Sequence, residues 1–379
     1  MKPLNFPTEI YFEEEAYNDL STYSNERILI ITSKHGVVSN AAKKLKETAE
    51  KENKLEVFNG VLPDPPLSVI AEGTELIKSY NPTVIIGLGG GSALDAAKAM
   101  KVDAGFKGIF IAVPTTSGTG SEINDLAVVT DDATNLKLPK LAEGYQPEKA
   151  YLIAELTVSM PEKTTIDTGM DVLTHALEAY VARPLSPAFR GHNNFTDPLA
   201  EKAVTLVFNN LPKVVKNPED LEARRMMLQA SAIASLAFIK AGLGGVHGIS
   251  HSTGARLQLA HGRVNSLLLG DLVQYNAGIG RYEAKGHTEI AERYAYLASL
   301  VDKKEHTGEQ GALRMVELIQ ELKNELGIEN QFSELGVQNE VYDQIIDTIV
   351  TTAIEDPTTK TNPRTLKAEN IREILVNLR

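Results

Sequence analysis

Five side chains between residues 171 and 261 have types and spacings that suit metal binding. Asp171 and His175 stand four residues apart where apolar residues recur at helical spacing, so both project from one helix face. His247 and His251 are also four apart, in a glycine-rich segment, and His261 follows in Ala-His-Gly. Asp171, His175, His247 and His261 together offer one carboxylate and three imidazoles. Such a set suits a divalent first-row metal, zinc or iron(II), with a position left for a substrate oxygen.

Each of these patterns also has an ordinary structural explanation. An Asp–His pair at this spacing is more often a surface pair than a chelate. A single histidine beside glycine is more often a hydrogen-bonded polar group. The combination of all three patterns favours the metal site over these explanations. Glu178, His192 and Asp197 lie close in sequence, and we expect them to be ordinary polar residues.

Two loops in the first half of the chain suit a phosphate-bearing ligand. A buried strand predicted at 83–88 runs into Gly89-Gly-Gly-Ser92 and a helix, where the backbone can approach an anion closely. The loop is not G-x-G-x-x-G, so the usual dinucleotide fingerprint is absent. A strand predicted at 109–113 runs into the polar loop 114–122, at the edge where open parallel sheets bind ligands. Asp95 could reach a ribose or a nicotinamide, or serve as a solvated or capping acid.

The elements that position these residues divide the chain in two. Continuous apolar runs at 28–31, 83–88 and 109–113 alternate with helical segments, which predicts an α/β domain with a mostly parallel, Rossmann-like sheet over residues 1–158. A hairpin is expected to start at 126–130 and to return near Lys137. From residue 164 the pattern is helical throughout, which predicts an all-helical domain over residues 159–379.

Composition excludes several classes of protein. The 379 residues are 42% hydrophobic and carry a net charge of −12, which argues against a nucleic-acid-binding surface. The chain has no cysteine, so disulfides and thiolate metal sites are excluded. It shows neither a secretory signal nor an apolar run of about 20 residues. We therefore expect a cytoplasmic protein without membrane or nucleic-acid partners.

Four motifs, in order along both predicted domains, resemble those of the iron-containing (group III) alcohol dehydrogenases. They are GGGSALDAAK at 89–98, PTTSGTGSE at 114–122, TGMDVLTHALEAY at 168–180, and the histidines of HGxxH with a later HG at 247–262. The segment 168–180 and the ending around 361–374 are most similar to the propanol and ethanol dehydrogenase branch of this family.

The resemblance implies a two-domain, dehydroquinate synthase-like architecture with NAD(P) in the first domain, one metal in the second and the active site between them. It implies a role for each matching residue. The family's metal ligands correspond to Asp171, His175, His247 and His261, and its histidine near the nicotinamide corresponds to His251. The residues that contact the pyrophosphate correspond to Gly89, Gly90, Gly91 and Ser92. Those that contact the nicotinamide and ribose correspond to Asp95, Thr115, Thr116 and Thr119, and the lysine of the cofactor groove corresponds to Lys137. His251 is expected to relay a proton or only to position the substrate, and Asp95 is the second candidate catalytic residue.

One departure from the family bears on cofactor choice. Many NAD-preferring members have an aspartate after the first strand, where this chain has Ser33 followed by Lys34. An acid there would bind the ribose hydroxyls and repel a 2′-phosphate. Ser33 removes that repulsion, so NADP(H) is expected to compete with NAD(H).

The sequence therefore predicts a metal-dependent, NAD(P)-linked alcohol dehydrogenase or aldehyde reductase for short-chain primary alcohols and aldehydes, acting as a homodimer or larger homo-oligomer. Its rivals are a reductase of a functionalised aldehyde such as sulfoacetaldehyde, a glycerol-type dehydrogenase, and a non-redox relative of the dehydroquinate synthase group. A catalytically silent binding or scaffold protein is the rival from another class. Intact motif positions disfavour that last reading.

Overall fold

A computed structural model describes residues 5–134, 136–186 and 188–379 of the chain. These residues form two compact units. The first comprises Asn5–Pro161 and Pro218–Ser235, and the second comprises Glu162–Asn217 and Leu236–Arg379. The domain boundary expected after residue 158 stays a prediction. A single boundary does not account for Pro218–Ser235, which groups with the first unit.

The described residues contain eight strands and thirteen α-helices. The strands are β1 (Glu9–Phe12), β2 (Arg27–Ser33), β3 (Lys54–Val61), β4 (Val84–Gly89), β5 (Ile109–Pro114), β6 (Leu126–Thr130), β7 (Lys137–Leu141) and β8 (Lys149–Leu152). The helices are α1 (Glu13–Leu20), α2 (Asn40–Glu50), α3 (Leu67–Tyr80), α4 (Gly91–Asp103), α5 (Glu162–Val181), α6 (Asp197–Lys216), α7 (Leu221–Ala241), α8 (Gly245–Leu257), α9 (His261–Ala277), α10 (Thr288–Asp302), α11 (Gly308–Glu325), α12 (Asn339–Glu355) and α13 (Ala368–Asn377).

Six strands of the first unit form one parallel sheet in the order β1-β8-β5-β4-β2-β3. The chain leaves β2 for β3 on one side and then returns to β4 on the other side. This reversal makes a topological switch point between β2 and β4, where open α/β sheets bind ligands beyond the carboxyl ends of their strands. The expected Rossmann-like parallel sheet is confirmed.

Alternation along the strands buries both faces of this sheet. On β2, Leu29 and Ile31 join one hydrophobic cluster, whereas Ile28 and Ile30 join the other. All four are fully buried. Because successive side chains point to opposite faces, a continuous apolar run is what a strand covered on both sides requires.

Two short strand pairings complete the first unit. β6 and β7 form the antiparallel hairpin expected from 126–130 to Lys137, and Thr130 pairs with Lys137 in its register. β1 lies at the edge of the main sheet and pairs with β8. The sequence pattern had not indicated β1.

The second unit is helical, as predicted. Its central helix, α5, packs against α6 and α9 and is buried at every residue from Gly169 to Val181. Polar side chains on such a helix cannot reach water, so they must find partners in the protein. Asp171, His175 and Glu178 are such residues.

Among the described residues, no single helix has both the length and the apolar composition of a membrane span. α7 and α8 meet that test only as a pair, across a bend of 107°.

Candidate functional site

Three helices of the second unit bring the four predicted metal ligands together. Asp171 and His175 lie on α5, His247 lies in the first turn of α8, and His261 is the first residue of α9. Asp171, His175 and His247 are buried, and the His261 side chain is 32% exposed. The cluster is therefore exposed to solvent on the side of His261.

Three imidazole nitrogens converge on one carboxylate oxygen. The Nε2 atoms of His247, His261 and His175 lie 3.5, 3.6 and 3.7 Å from Asp171 Oδ1. Ligand atoms bound at about 2.1 Å in a tetrahedral site stand about 3.4 Å apart, so these separations match the spacing around one ion. Asp171, His247 and His261 form the tighter group, with one ligand atom from each within 4.8 Å of the others.

An unsatisfied nitrogen supports the same interpretation. His247 Nε2 is buried, and no described residue forms a hydrogen bond with it. Leaving a buried polar atom without a partner costs about 1–3 kcal/mol, so native structures rarely do so. A cation at this position would provide the missing partner. The donor set and the unsatisfied nitrogen therefore fit a divalent metal.

The charges of the cluster favour a cation. Burial favours the neutral form of Asp171, but the surrounding histidines outweigh burial and hold the pKa of this carboxyl well below its usual range. Burial lowers the pKa of His247, yet Glu178 and Asp171 overcome it and raise that pKa to about 9. Burial keeps the pKa of His261 well below its usual value. An incoming ion meets an ionised carboxylate and must displace a proton from His247.

Glu178, which we expected to be an ordinary polar residue, contacts one of the predicted metal ligands. Its side chain is 4% exposed, and its Oε2 lies 2.7 Å from His247 Nδ1. The sequence carried a usable signal, because Asp171, His175 and Glu178 follow the i, i+4, i+7 spacing of one helix face.

Two further residues that the sequence analysis missed also contact the cluster. The Ser250 hydroxyl donates to the His247 carbonyl over 3.4 Å and lies 3.0 Å from His261 Nδ1. Asn265 Nδ2 donates to Asp171 Oδ1 over 2.8 Å and lies 3.2 Å from His261 Nε2. Asn265 stands four residues after His261, so helical spacing could have indicated it.

His251 lies beside the cluster, and its ring is held by a residue that does not belong to the cluster. Its ring stacks on His261 with centroids 5.2 Å apart, and its side chain is 41% exposed. Its Nδ1 lies 2.9 Å from Asp356 Oδ2. An ionised carboxylate only accepts hydrogen bonds, so Asp356 keeps the ring proton of His251 on Nδ1. Nε2 is then the ring atom that can exchange a proton.

A buried ion-pair network supports α9 two residues beyond His261. Arg263 Nε donates to Asp167 Oδ1 over 2.6 Å, and its guanidinium also contacts Glu329. Arg263 and Asp167 are both buried. The network ties α9 to α5 close to the predicted ligands.

The predicted cofactor residues of the first unit lie at the carboxyl ends of neighbouring strands. Ser33 ends β2, Gly89 ends β4, and Thr115 follows β5. The β4 and β5 loops touch, because the Thr115 amide donates to the Gly89 carbonyl over 3.0 Å. A Cβ on Gly91 would lie 2.8 Å from the Thr119 side chain, so this contact requires glycine. Gly90 makes a similar approach to Thr116.

Asp95 is a half-buried, hydrogen-bonded acid, and the residue that caps α4 is Gly90 instead. Its Oδ1 accepts a hydrogen bond from the Ser121 hydroxyl over 2.6 Å, and its Oδ2 accepts one from the Val128 amide over 3.0 Å. Burial raises its pKa. Asp95 thus links α4 to the polar loop and to β6.

Asp64 connects Lys137 with Ser92. Lys137 Nζ lies 2.8 Å from Asp64 Oδ1, and the Asp64 amide donates to Ser92 Oγ over 3.2 Å. Lys137 is therefore held near the glycine loop through Asp64, although its predicted contact with a cofactor remains a prediction.

Comparison with known proteins identifies the family. Residues 7–152 match the model described as iron-containing alcohol dehydrogenase, and residues 165–378 match the C-terminal model of the Fe-containing alcohol dehydrogenase family. The chain belongs to the iron-containing alcohol dehydrogenase family. Membership implies a divalent metal and a nicotinamide cofactor, as the resemblance had indicated.

Relatives match this family member over its whole length. It is 37% identical to a 1-propanol dehydrogenase of Citrobacter freundii, with 100% of both chains covered. It is 31% identical to an NADPH-dependent butanol dehydrogenase of Clostridium saccharobutylicum, over 99% of this chain and 97% of that one. The solved alcohol dehydrogenase from Oenococcus oeni is 26% identical, with a TM-score of 0.87 and 100% coverage of both chains.

Proposed function

We propose that this protein is a metal-dependent, NAD(P)-linked alcohol dehydrogenase that interconverts short-chain primary alcohols and aldehydes. The observation that carries the proposal is the convergence of three imidazole nitrogens on Asp171 Oδ1 at 3.5–3.7 Å. The activities after which the propanol and butanol dehydrogenase relatives are named support the substrate class.

In this proposal Asp171, His175, His247 and His261 hold one iron(II) or zinc ion. When bound, the ion supplies Lewis acidity toward an alcohol or aldehyde oxygen, and the nicotinamide accepts or donates the hydride. The protein keeps Asp171 ionised and excludes water from all of the cluster except the side of His261 and His251. Substrate is proposed to enter from that side.

His251 is proposed to exchange the proton of the reaction at Nε2. Asp356 holds the other ring nitrogen, so the imidazole presents one fixed atom for this exchange. The ring is partly exposed and can return the proton to solvent.

The cofactor is proposed to lie across the switch point of the parallel sheet. The amides at the start of α4 and the glycines 89–91 would contact the pyrophosphate, together with Ser92. Thr115, Thr116, Thr119 and Asp95 would surround the nicotinamide and its ribose, and Ser33 would lie near the adenosine ribose. The proposal includes use of both NAD(H) and NADP(H), because no acid stands at Ser33. It also includes a cytoplasmic location and assembly into a homodimer or larger homo-oligomer. Light scattering of the purified protein tests the assembly.

The test is steady-state turnover with metal analysis. We expect absorbance at 340 nm to fall when propanal or butanal is added with NADH or NADPH, and sulfoacetaldehyde tests the functionalised-aldehyde alternative. His261→Ala should lose bound metal and turnover together, whereas His192→Ala, outside the cluster, should keep both. Full turnover of a metal-free His261→Ala enzyme would refute the proposal.

A further inference from the structure

Glu178 makes more contacts than a residue that merely neutralises His247 would need. Its Oε2 accepts hydrogen bonds from the Gly244 amide over 2.9 Å and from His247 Nδ1 over 2.7 Å. Its Oε1 accepts one from the Val246 amide over 2.6 Å. One carboxylate therefore receives three donors from the start of α8.

These amides are among the donors that no α8 carbonyl can satisfy. The first four N–H groups of a helix lack an intrahelical partner, and the Gly244 side chain offers no cap. Glu178 on α5 takes two of them, and Asn362 Oδ1 takes the Gly245 amide over 3.0 Å. A Cβ on Gly244 would lie 2.8 Å from Glu178 Oε1 and 2.9 Å from Asn362 Oδ1, so glycine permits both acceptors to approach.

The same contacts fix the ring of His247. An ionised carboxylate has no proton to give, so Nδ1 must keep its proton and Nε2 must supply the free electron pair. Nε2 is the atom that lies 3.5 Å from Asp171 Oδ1. Carboxylates that receive the distal N–H of a metal-binding histidine act this way in many metal sites.

We propose that Glu178 is the positioning residue of the metal centre: it anchors the start of α8 and selects the His247 tautomer that can bind the ion. The inference rests on the proposed metal-dependent function. Asp171, His175 and Glu178 share one face of α5, so a single helix carries two ligands and the group that orients a third. Asn362 anchors the same helix end without a hydrogen bond to His247 among the described contacts.

Replacing Glu178 by glutamine tests the tautomer directly. The glutamine side chain has the same shape as glutamate, but its amide group has one acceptor oxygen and one donor nitrogen. If its oxygen stays on the Val246 amide, its NH₂ faces His247 Nδ1 and stabilises the wrong tautomer. If the group is flipped, its NH₂ faces the Val246 amide, and two donors oppose each other. Neither orientation replaces the carboxylate.

The experiment measures zinc and cobalt(II) affinity of the full chain by competition with a chromogenic chelator, beside thermal unfolding of the metal-free protein. E178Q should bind either ion about 10- to 100-fold more weakly than wild type. Glu178→Asp keeps an acceptor-only carboxylate and should retain more affinity than E178Q. Asn362→Ala should lower the unfolding temperature of the metal-free protein but change the metal affinity far less than E178Q does.

Wild-type affinity in E178Q would overturn the inference. So would an equal loss of affinity in Asn362→Ala, which would make Glu178 only a clamp on the helix. If E178Q does not fold, an affinity of Glu178→Asp below that of Asn362→Ala supports the inference, and the reverse order overturns it. A wild-type protein that binds neither ion refutes the proposed function instead, so the two failures are distinguishable.

Discussion

Glu122 is a buried carboxyl group, and its replacement by glutamine should stabilise the protein increasingly as the pH rises. The residue is 1% exposed, and its Oε1 has no hydrogen-bond partner among the described residues. Burial outweighs the attraction of Lys98 and raises the pKa of Glu122 to about 7. Lys98 Nζ instead donates to Asn124 Oδ1 over 3.0 Å and to the Leu126 carbonyl over 2.8 Å.

The direction follows from proton linkage. Below pH 4.5 the carboxyl is protonated in both the folded and the unfolded states, so it behaves much as a glutamine does. Between pH 4.5 and about 7, Glu122 is ionised in the unfolded chain but still protonated in the folded protein. The stability that the protonated group contributes is therefore lost as the pH rises. Glutamine has no such loss. Between pH ~5 and ~8.5, the difference in unfolding free energy between Glu122→Gln and wild type should grow by about 2.5 kcal/mol.

Calorimetry of the metal-free and cofactor-free protein measures this difference. It corresponds to roughly 3 °C in unfolding temperature if the chain unfolds cooperatively, and to roughly 7 °C if the first unit unfolds alone. Any constant effect of the amide cancels when the two pH values are compared. Glu15→Gln, at an exposed position, is the control and should show no comparable change. A difference that stays constant with pH, or that shrinks, would refute the reasoning.

Three further substitutions test the site and its support. Ser33→Asp should reduce the preference for NADPH over NADH by about tenfold or more, because a carboxylate repels the 2′-phosphate; Ser33→Asn is the uncharged control in ratios of kcat/KM. Asp356→Asn should lower kcat by about 10- to 100-fold with little change in KM, because His251 loses the partner that fixes its proton. Arg263→Met should destabilise the protein by about 3–5 kcal/mol in urea unfolding, because two carboxylates lose a buried partner. The control is Arg281→Met, which removes an arginine whose side chain is 52% exposed, and it should cost about 1 kcal/mol or less.

The opposite result of each of these three experiments also has a definite meaning. An unchanged cofactor ratio in Ser33→Asp would place the adenosine ribose away from the end of β2. An unaltered kcat in Asp356→Asn would leave His251 only a positioning role. Equal losses of unfolding free energy in the two arginine variants would mean that breaking the buried ion pairs of Arg263 costs no more than breaking the partly exposed one of Arg281.

Much of the architecture could be predicted because its signals are local. The apolar runs of β2, β4 and β5 are long enough to indicate strands covered on both faces. The Asp171–His175 spacing already defines a helix face that the fold then buries. The hairpin of β6 and β7 likewise follows from a short apolar run closed by Asp131 and Asp132.

The missed features depend on partners distant in sequence. β1 is a four-residue edge strand, and it is ordered by pairing with β8, about 140 residues later. Residues 218–235 group with the first unit, where Ser231 and Ser235 pack against Gly120. Glu178 has the right helical spacing, but its role depends on backbone amides 66 and 68 residues further along the chain. No local pattern shows where those amides lie.

The most direct test of the metal centre is anomalous scattering from crystals of the protein loaded with zinc or iron(II), collected on both sides of the metal's absorption edge. We expect one strong peak at about 2.0–2.2 Å from an Asp171 oxygen and from Nε2 of His175, His247 and His261. A catalytically active crystal with no peak among these four side chains, or with its only peak elsewhere, would contradict the assignment.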